Sequence, residues 1–586
     1  MRNVVLLLII SAVTQACGPQ SEATDRPPNI VMILADDQGW GDLSSSGNTN
    51  LATPNIDAIA AHGVKFDNFY VSPVCSPTRA EMLTGRYHPR AGVYGTSAGG
   101  ELLDLDEQTI AEVFKAAGYA TGAFGKWHNG MQPPYHPNAR GFDEFYGFCS
   151  GHWGDYFSPN LLERNGELVK GSGFVIDDFT DHAIRFIEEN KGKPFFAYLP
   201  YNTPHSPMQV PDEWWDKFED DELGLRHREP EKEDLQHTRA ALAMVENIDW
   251  NVGRIQSFLE EQGLADNTIV IYFSDNGPNG SRWNGGMKGR KGSTDEGGVR
   301  SPFYMQWKEK ITAGSTVDEI AAAIDLLPTL ADMAGIPLNN KNPLDGKNLN
   351  PLLQGVSDWQ DRYIFSHWRG RVSVRSQQYR LGHENQLFDM VTDHGQQTDI
   401  AASQPEVAAE MIAAKDAWMA EVLDGAIVED RAFPVGHPDF DFTQLPIRDA
   451  IGSGAIERSN RFPNDSFFRN WVNIEDEITW DIDVLTSGDY EVTLYYACPE
   501  KDLGAEIELS FGDHAIRGKI DVANDPPLLG AEHDRNPRQE SYVKDFQPLN
   551  LGVLHLEKGA GKMRLRALEM PGSQVMEIRL MMLKRV

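Results

Sequence analysis

The feature that most constrains the fold is a series of short apolar runs that alternates with helical patterns between residues 28 and 307. The first run, 29–35, has the sequence Asn-Ile-Val-Met-Ile-Leu-Ala, which is typical of a strand covered on both faces. Similar runs occupy residues 120–124, 194–199 and 268–273. Buried strands that alternate with helices predict an α/β fold with a large, mostly parallel sheet flanked by helices.

Capping residues indicate where several of the intervening helices begin. Thr53 precedes Pro54, and a hydroxyl at the N-cap followed by proline in the first turn is a common helix start. Thr109 and Glu112 have the spacing of a capping box. A longer helical pattern covers residues 234–262 and leads into the last of the apolar runs. These patterns support an α/β domain over residues 28–370.

The pattern changes twice farther along the chain. Residues 371–432 combine strand-like segments with a helix at 405–423 and predict a small C-terminal α+β subdomain. Residues 433–438, Phe-Pro-Val-Gly-His-Pro, indicate a linker. Beyond it the apolar residues recur with period two between Gly, Pro and Asp turns, so residues 440–586 predict an appended all-β sandwich.

The N-terminus has the features of an export signal. A charged start, an apolar run at residues 4–10 and small residues up to Ala16 predict a signal peptide. That run is too short to span a bilayer. Cys17 follows Thr14-Gln15-Ala16, which resembles a bacterial lipoprotein cleavage box. A lipid anchor at Cys17 and secretion without an anchor are therefore both open, and residues 1–17 predict a periplasmic, outer-membrane or extracellular protein.

Charge and cysteine content exclude other classes. The formal net charge of −34 argues against nucleic acid as a partner, and the only predicted membrane attachment is the lipid anchor. Four cysteines are too few for a disulfide scaffold, because Cys17 belongs to the processing site and Cys149 and Cys498 fall in different predicted domains. Cys75 therefore requires another explanation than pairing.

Functional side chains follow four of the predicted strands. Taken alone, a polar residue at such a position more often forms part of a turn, caps a helix or is exposed to solvent. In open α/β sheets, however, ligands gather at the carboxyl ends of the strands, and there these groups meet: Asp36 and Asp37, Lys126 and His128, His205, and Asp275 and Asn276. Three carboxylates and an amide offer only oxygen ligands, which suit Ca²⁺ or Mg²⁺ rather than zinc.

The segment Cys75-Ser76-Pro77-Thr78-Arg79 adds a candidate nucleophile. Pro77 suits a first helical turn, which would place Cys75 at a helix N-terminus, where the backbone favours negative charge. Arg79 then lies one turn farther on the same face and could neutralise an anion at position 75 or hold a substrate oxygen. The alternative is that Cys75 is simply a small buried apolar residue.

This segment, with Leu83-Thr84-Gly85-Arg86 downstream, resembles the maturation signature of the formylglycine-dependent sulfatases, arylsulfatase-like members of the alkaline phosphatase superfamily. Companion segments agree in order over residues 28–402, as in bacterial polysaccharide sulfatases. They are Ala35 to Asp42, Gly125 to His128, Gly141 to Asp143, Thr203 to His205, Ser274 to Gly277 and Lys291 to Arg300.

The resemblance implies the alkaline-phosphatase-like fold and a modified nucleophile. Cys75 would be oxidised to formylglycine (3-oxoalanine) by a formylglycine-generating maturation enzyme. A divalent cation, Ca²⁺ with Mg²⁺ as the alternative, would be bound by residue 75 together with Asp36, Asp37, Asp275 and Asn276. Hydrated formylglycine would attack sulfur and expel the alcohol, which makes the protein a sulfuric ester hydrolase.

The resemblance also implies roles for the remaining candidates. His205, assisted by Lys291, would protonate the departing oxygen, and His128 would take a proton from residue 75 as sulfate leaves. Lys126, Lys291 and Arg79 would surround the sulfate. Ser150 is a candidate substrate contact, in a segment that departs from familiar versions of the family. Lys291 is preferred to Lys288 because it adjoins the Gly-Ser-Thr-Asp-Glu-Gly-Gly segment.

The substrate is predicted from weaker signals. The C-terminal β-region resembles carbohydrate-binding sandwiches, with Trp471, Trp480, Tyr490 and Tyr495 as stacking candidates, unless these aromatic residues fill its core. With export, this favours a sulfated polysaccharide or oligosaccharide. The alternatives are a phosphodiesterase or phosphonate monoester hydrolase of the same superfamily, a glycan-binding surface protein with little catalysis, and a structural lipoprotein.

Overall fold

A computed structural model describes residues 26–356, 359–425 and 431–586. The predicted signal segment and Cys17 lie outside these residues. The α/β prediction is confirmed: the molecule is organised around one ten-stranded sheet. From edge to edge its strands are Ser315–Val317, Val64–Phe66, Phe303–Gln306, Thr268–Ser274, Asn29–Ala35, Phe195–Pro200, Ala120–Lys126, Glu144–Phe148, Leu162–Arg164 and Glu167–Val169.

The centre of this sheet is parallel and its flanks are mostly antiparallel. Five neighbouring strands, from Thr268–Ser274 to Glu144–Phe148, all run in one direction. Phe303–Gln306 on one side and Leu162–Arg164 on the other pair antiparallel with them. The sheet is therefore mixed as a whole, with the parallel part in the middle, where the predicted site residues end their strands.

Strand Asn29–Ala35 shows why the sheet is covered on both faces. Val31 and Ile33 pack into a core with the helices on one side, and Met32 and Leu34 pack into a second core on the other. All four side chains are fully buried, which explains the continuous apolar run.

The helices of the described residues are Pro54–Ala61, Cys75–Thr84, Ile110–Ala116, Val175–Asn190, Asp212–Trp215, Leu235–Glu261, Glu296–Val299, Leu326–Met333, Asn350–Leu353 and Pro405–Val422.

The predicted helix starts are present. The Thr109 hydroxyl accepts a hydrogen bond from the Glu112 backbone N–H (3.2 Å), and the Glu112 carboxylate accepts one from the Thr109 backbone N–H (2.7 Å). This reciprocal arrangement is the capping box that the spacing indicated. Asp234 caps the long helix by accepting from His237 N (3.1 Å). Among the described residues, no helix combines the length and apolar character needed to cross a membrane.

A four-stranded antiparallel sheet follows the large one. Its strands are Ile364–Trp368, Arg371–Arg375, Tyr379–Leu381 and Leu387–Asp389, and helix Pro405–Val422 packs against it through Met411 and Trp418. Its first strand precedes residue 371. A small sheet of Arg300–Ser301, Phe69–Tyr70 and Ala321–Ala322 lies nearby in the fold.

The C-terminal region consists of two six-stranded sheets, as the period-two pattern predicted. One contains Phe433–Val435, Glu477–Val484, Gly559–Glu569, Glu506–Phe511, His514–Lys519 and Ile451–Gly452. The other contains Glu457–Arg458, Phe468–Arg469, Glu577–Arg585, Gly488–Ala497, Gln547–Leu556 and Phe442–Pro446.

One expectation for this region is wrong, and of the two alternatives for its aromatic residues the structure confirms core filling for three of the four. The predicted linker contains a strand, because Phe433 and Val435 are buried and the segment pairs parallel with Glu477–Val484; an edge strand tolerates the intervening Pro434. Trp471, Trp480 and Tyr490 are at most 1% exposed and form the core between the sheets. They cannot stack on a sugar, and the half-buried Tyr495 packs on a smaller apolar cluster.

Candidate active site

The acidic residues that follow two neighbouring strands lie against each other. Strands Asn29–Ala35 and Thr268–Ser274 pair in register up to Ala35 and Ser274, so the residues that follow them meet. The Asp37 backbone N–H donates to Asp275 Oδ1 (3.2 Å), and Asn276 Nδ2 donates to Asp37 Oδ1 (2.8 Å). Asp36, Asp37, Asp275 and Asn276 are all fully buried.

Cys75 begins helix Cys75–Thr84 directly beside these acids. Val74 is the extended N-cap and Pro77 lies in the first turn, as the sequence predicted. The Thr78 hydroxyl donates to the Asp275 carbonyl oxygen (2.6 Å) and attaches the helix to the strand end. Cys75 Sγ, an Asp36 oxygen and an Asp275 oxygen all lie within 4.8 Å of one another. Cys75 carries a free thiol that is 3% exposed.

Each of the three carboxylates lies within 3 Å of a cationic side chain. Lys126 Nζ lies 2.5 Å from Asp36 Oδ2, and Lys291 Nζ lies 2.6 Å from Asp37 Oδ1. Arg79 Nη2 lies 2.9 Å from Asp275 Oδ2, while its Nη1 donates to the Lys126 carbonyl oxygen (2.6 Å). Arg79 is thus occupied in holding the acids and the Lys126 strand end together. We call these eight residues the floor: Asp36, Asp37, Cys75, Arg79, Lys126, Asp275, Asn276 and Lys291.

The electrostatics of the floor favour an additional positive charge. Burial opposes ionisation of Asp36, but Lys126 and other cations hold its pKa well below the usual range. For Asp275, burial and the neighbouring Asp36 charge raise the pKa to about 7. Burial also raises the pKa of the Cys75 thiol. An unmodified Cys75 is therefore a poor thiolate nucleophile at neutral pH.

The oxygen atoms of the floor fit a divalent cation. Asp36 Oδ1 and Asn276 Oδ1 are buried and have no hydrogen-bond partner among the described residues. Buried polar atoms without partners are costly, and a bound ion would satisfy both of these atoms. Three carboxylates and one amide oxygen form the hard donor set that Ca²⁺ and Mg²⁺ prefer. A candidate metal site therefore exists here, as the sequence predicted.

A cavity of about 500 Å³ opens above the floor. Of the predicted site residues, Cys75, His128, His205 and Lys291 line it. The other floor residues do not line it and support those that do. Ser150 does not line the cavity either: its hydroxyl accepts from Arg448 Nη1 (3.1 Å), whereas the adjacent Gly151 and His152 are in the wall.

The two predicted acid–base histidines have different hydrogen bonds. His128 Nε2 lies 2.9 Å from the Thr96 carbonyl oxygen and donates to it, which leaves Nδ1 as the lone-pair nitrogen, buried and without a partner among the described residues. His205 donates from Nδ1 to the Ser206 carbonyl oxygen (2.7 Å), and its Nε2 lies 3.6 Å from Asp37 Oδ2. Burial is the main cause that lowers the pKa of each.

Part of the cavity wall comes from the C-terminal β-region. We call this part the rim: Phe462, Asn464 and residues 536–540 line the cavity opposite the sheet. Arg448 fixes the contact through an ion pair with Glu101 (2.9 Å), and Gln209 Nε2 donates to the Gly530 carbonyl oxygen (2.7 Å). The sequence contained no signal for these contacts, because the rim residues lie in polar loops between strands that carry only the period-two pattern.

This fold and site indicate a class of enzyme: a hydrolase of anionic esters built on an α/β sheet, with a candidate cation site and a candidate nucleophile beside the strand ends. Comparison with known proteins then assigns the family. The Sulfatase family model matches residues 28–336, and the model for the C-terminal part of N-sulphoglucosamine sulphohydrolase matches residues 291–401. The chain belongs to the sulfatase family and is a sulfuric ester hydrolase.

Individual relatives agree. The chain is 34% identical to mouse N-acetylgalactosamine-6-sulfatase over 417 residues, 64% of this chain and 75% of the relative. It is 35% identical to human arylsulfatase A over 409 residues, 61% and 75% of the two chains. The solved structure of Ps i-CgsB in complex with k-i-k-neocarrahexaose is 31% identical, with a TM-score of 0.61 over 67% of this chain and 93% of that one. Residues 431–586 lie beyond both family models.

Proposed function

We propose that this sulfatase removes sulfate from a sulfated polysaccharide or oligosaccharide, using a formylglycine made from Cys75 and a divalent cation, Ca²⁺ in preference to Mg²⁺. The observation that carries the proposal is the position of Cys75: it lies at a helix start, beside Asp36 and Asp275, and lines the cavity. The raised pKa of the unmodified thiol supports a modified residue rather than a thiolate.

The aldehyde at position 75 would supply the nucleophile, and the cation would activate it. A hydrated aldehyde at position 75 supplies a hydroxyl nucleophile with a second hydroxyl beside it, and a cation held by Asp36, Asp37, Asp275 and Asn276 lowers the pKa of a bound hydroxyl. The oxygens without hydrogen-bond partners on Asp36 and Asn276 support this position for the ion. A formylglycine-generating enzyme is the implied maturation partner.

The chain's own residues would then bind, orient and move protons. Lys291, in the cavity wall, binds a sulfate oxygen, while Lys126 and Arg79 hold the acids in place from below. His205 gives a proton to the sugar oxygen as the S–O bond breaks. His128 Nδ1 accepts a proton from residue 75 as sulfate is released, since Nε2 is committed to Thr96. Fixed charges of this kind often supply the largest part of the rate enhancement.

The shape of the cavity and the relatives support a carbohydrate substrate. The cavity is large enough for more than a sulfate group, and its wall includes polar side chains of the C-terminal β-region. One relative is an N-acetylgalactosamine-6-sulfatase, and the solved neighbour Ps i-CgsB is in complex with a neocarrahexaose. The export signal predicted for residues 1–17 supports such a substrate, because an exported enzyme would meet glycans outside the cytoplasm.

The test is sulfate release from a panel of defined sulfated oligosaccharides, with carrageenan and glycosaminoglycan fragments, compared with phosphate mono- and diesters at equal concentration. We expect sulfate release from at least one saccharide to exceed any phosphate ester hydrolysis by about 10²-fold or more in kcat/KM. Higher turnover of phosphate esters would favour the phosphodiesterase alternative. Binding of glycans without turnover, by protein whose residue 75 is shown by mass spectrometry to be formylglycine, would favour a binding protein.

A further inference from the structure

Glu540, in the rim, is an acid inside a cavity that must accept an anionic substrate. Its side chain is half-buried and lines the cavity together with His205 and Lys291. Glu540 Oε1 accepts a hydrogen bond from the Ser206 hydroxyl (2.5 Å), and Ser206 directly follows His205. The carboxylate of Glu540 therefore lies next to the residue that faces the departing oxygen in the proposed reaction.

Glu540 differs from the acids of the floor because no lysine or arginine pairs with it among the described residues. Its other oxygen accepts from the Gln539 backbone N–H (3.2 Å). Burial favours the neutral acid, but His152 and the Ser206 hydroxyl lower the pKa of Glu540 to about 2. An ionised carboxylate that pairs with no lysine or arginine would repel a sulfate group placed beside it, while it would accept hydrogen bonds from neutral hydroxyls.

Two neighbours complete a surface suited to a sugar ring. His152 is 4% exposed, lines the cavity, and has no hydrogen-bond partner for either ring nitrogen within the described ranges. Phe462 also lines the cavity and is 39% exposed, which leaves an aromatic face accessible. Carboxylate, imidazole and an aromatic ring can contact the hydroxyls and the apolar face of one sugar.

The loop that carries Glu540 is held in place before any ligand binds. Arg538 donates from Nε to Asp534 Oδ2 (2.8 Å) and from Nη2 to Asp534 Oδ1 (2.5 Å). Its Nη1 donates to the Gly154 carbonyl oxygen, across the boundary with the sheet region. A loop fixed on both sides keeps the carboxylate at one position, and selectivity by repulsion requires this.

We propose that Glu540, with His152 and Phe462, forms the subsite for the sugar that carries the scissile sulfate, and that it selects sugars with a free hydroxyl next to the sulfated carbon. The carboxylate accepts a hydrogen bond from that hydroxyl and rejects a second sulfate at the same place. This inference rests on the proposed function. It assigns to the C-terminal β-region a part in choosing the substrate rather than in the reaction.

The experiment compares wild type, Glu540→Gln, Glu540→Asp and the control Glu532→Gln on galactoside 2-, 3-, 4- and 6-sulfates and on the 2,3- and 3,4-disulfates, with released sulfate measured. Preference for the 6-sulfate, whose neighbouring C5 carries no hydroxyl in the pyranose ring, would overturn the inference. Wild type should prefer the best monosulfate over the disulfate that contains it by about tenfold or more in kcat/KM. Glu540→Gln keeps the size and one acceptor oxygen but loses the charge, so this ratio should fall toward one. Glu540→Asp and Glu532→Gln, at a side chain that is 59% exposed, should keep the preference.

The outcomes separate the inference from the function on which it rests. If wild type releases sulfate from monosulfated sugars but Glu540→Gln keeps the same ratio, or if wild type shows no preference, the role of Glu540 is wrong and the proposed function stands. If wild type hydrolyses an aryl sulfate such as p-nitrophenyl sulfate but no sulfated saccharide of any kind, the carbohydrate substrate itself is wrong, and the inference is overturned with it.

Discussion

The carboxylates in the floor of the cavity are paired with cations, whereas the Glu540 carboxylate in the rim is not, in the part of the chain that the structure describes. In the floor, three carboxylates face three cations, with each pair within 3 Å. The carboxylates and Lys126 lie at the ends of parallel strands, whereas Arg79 and Lys291 reach them from a helix and a turn. In the rim, Glu540 has no cationic partner among the described residues, and it is carried by a loop of a different region.

This difference separates two tasks. The backbone of the sheet fixes the floor, so its charges can be arranged around a reacting group without reorganisation during the reaction. The rim contacts the parts of the substrate that do not react, where like charge and shape can exclude wrong ligands. Changes in the floor should therefore reduce the rate for every substrate, whereas changes in the rim should alter the rate less and alter the choice of substrate more.

The largest effect is expected at Cys75. Replacement by alanine removes the thiol that is oxidised, so no aldehyde and no hydroxyl nucleophile can form, and sulfate release should fall by about 10⁴-fold or more for every substrate. Cys498→Ala is the matched control, because Cys498 is also a buried free thiol but lies in the C-terminal β-region; it should keep activity within about twofold. Mass spectrometry of the peptide that contains residue 75 checks for oxidation. Substantial activity of Cys75→Ala would disprove the assignment of the nucleophile.

The cation site should give the next largest effect. In Asp36, one carboxylate oxygen has no hydrogen-bond partner among the described residues and is available to an ion, and the other lies 2.5 Å from Lys126 Nζ. Asp36→Asn removes the negative charge, so kcat should fall by about 10²- to 10³-fold. Chelation of wild type with EDTA should abolish sulfate release, and Ca²⁺ should restore it better than Mg²⁺. Asp481→Asn, at an exposed residue of the β-region, serves as the control. Full activity after exhaustive chelation would exclude a catalytic cation.

The same contrast explains how much could be predicted from the sequence. Strand Asn29–Ala35, the capping box at Thr109 and the meeting of Asp36 with Asp275 follow from local patterns and from the rule for parallel strand ends. The prediction of a linker at 433–438 was wrong because this segment pairs with Glu477–Val484, which is distant in sequence. The rim depends on contacts between distant loops, such as Arg448 with Glu101, which no local pattern encodes.

Gly151 lies at the boundary between floor and rim, and an alanine there should have an intermediate effect. A Cβ at Gly151 would lie 2.3 Å from His128 Nε2 and 2.7 Å from Asn464 Nδ2, so the imidazole would have to move. A displacement of about 1 Å in a catalytic group can cost about 10²-fold in rate, and we expect a loss of roughly this size in kcat. Gly192→Ala is the control, since no heavy atom lies within 4 Å of its added Cβ. Wild-type kcat in Gly151→Ala would show that the position of His128 is not critical.

The smallest expected effect is a change in the pKa of His128, and it tests whether the rim keeps water away from this histidine. Burial and the nearby Lys126 charge lower the pKa of His128 well below the usual 6.5. A lowered pKa keeps Nδ1 unprotonated in mild acid, so an NMR titration of wild type should show a neutral His128 ring from pH 8 to pH 6. A histidine with an ordinary pKa would be only about one quarter neutral at pH 6.

Asn464→Ala sharpens this test. Asn464 Nδ2 donates to the same Thr96 carbonyl oxygen that His128 uses (3.3 Å), and its removal should admit water beside the imidazole. The pKa of His128 should then rise toward 6.5 and protonation of its ring should appear in the NMR titration near pH 6, with a loss of about tenfold in kcat at pH 8 because Thr96 is held less firmly. Since the variant changes no titratable group, an unchanged titration of His128 would mean that the rim does not control the environment of His128, and that its role is confined to the substrate.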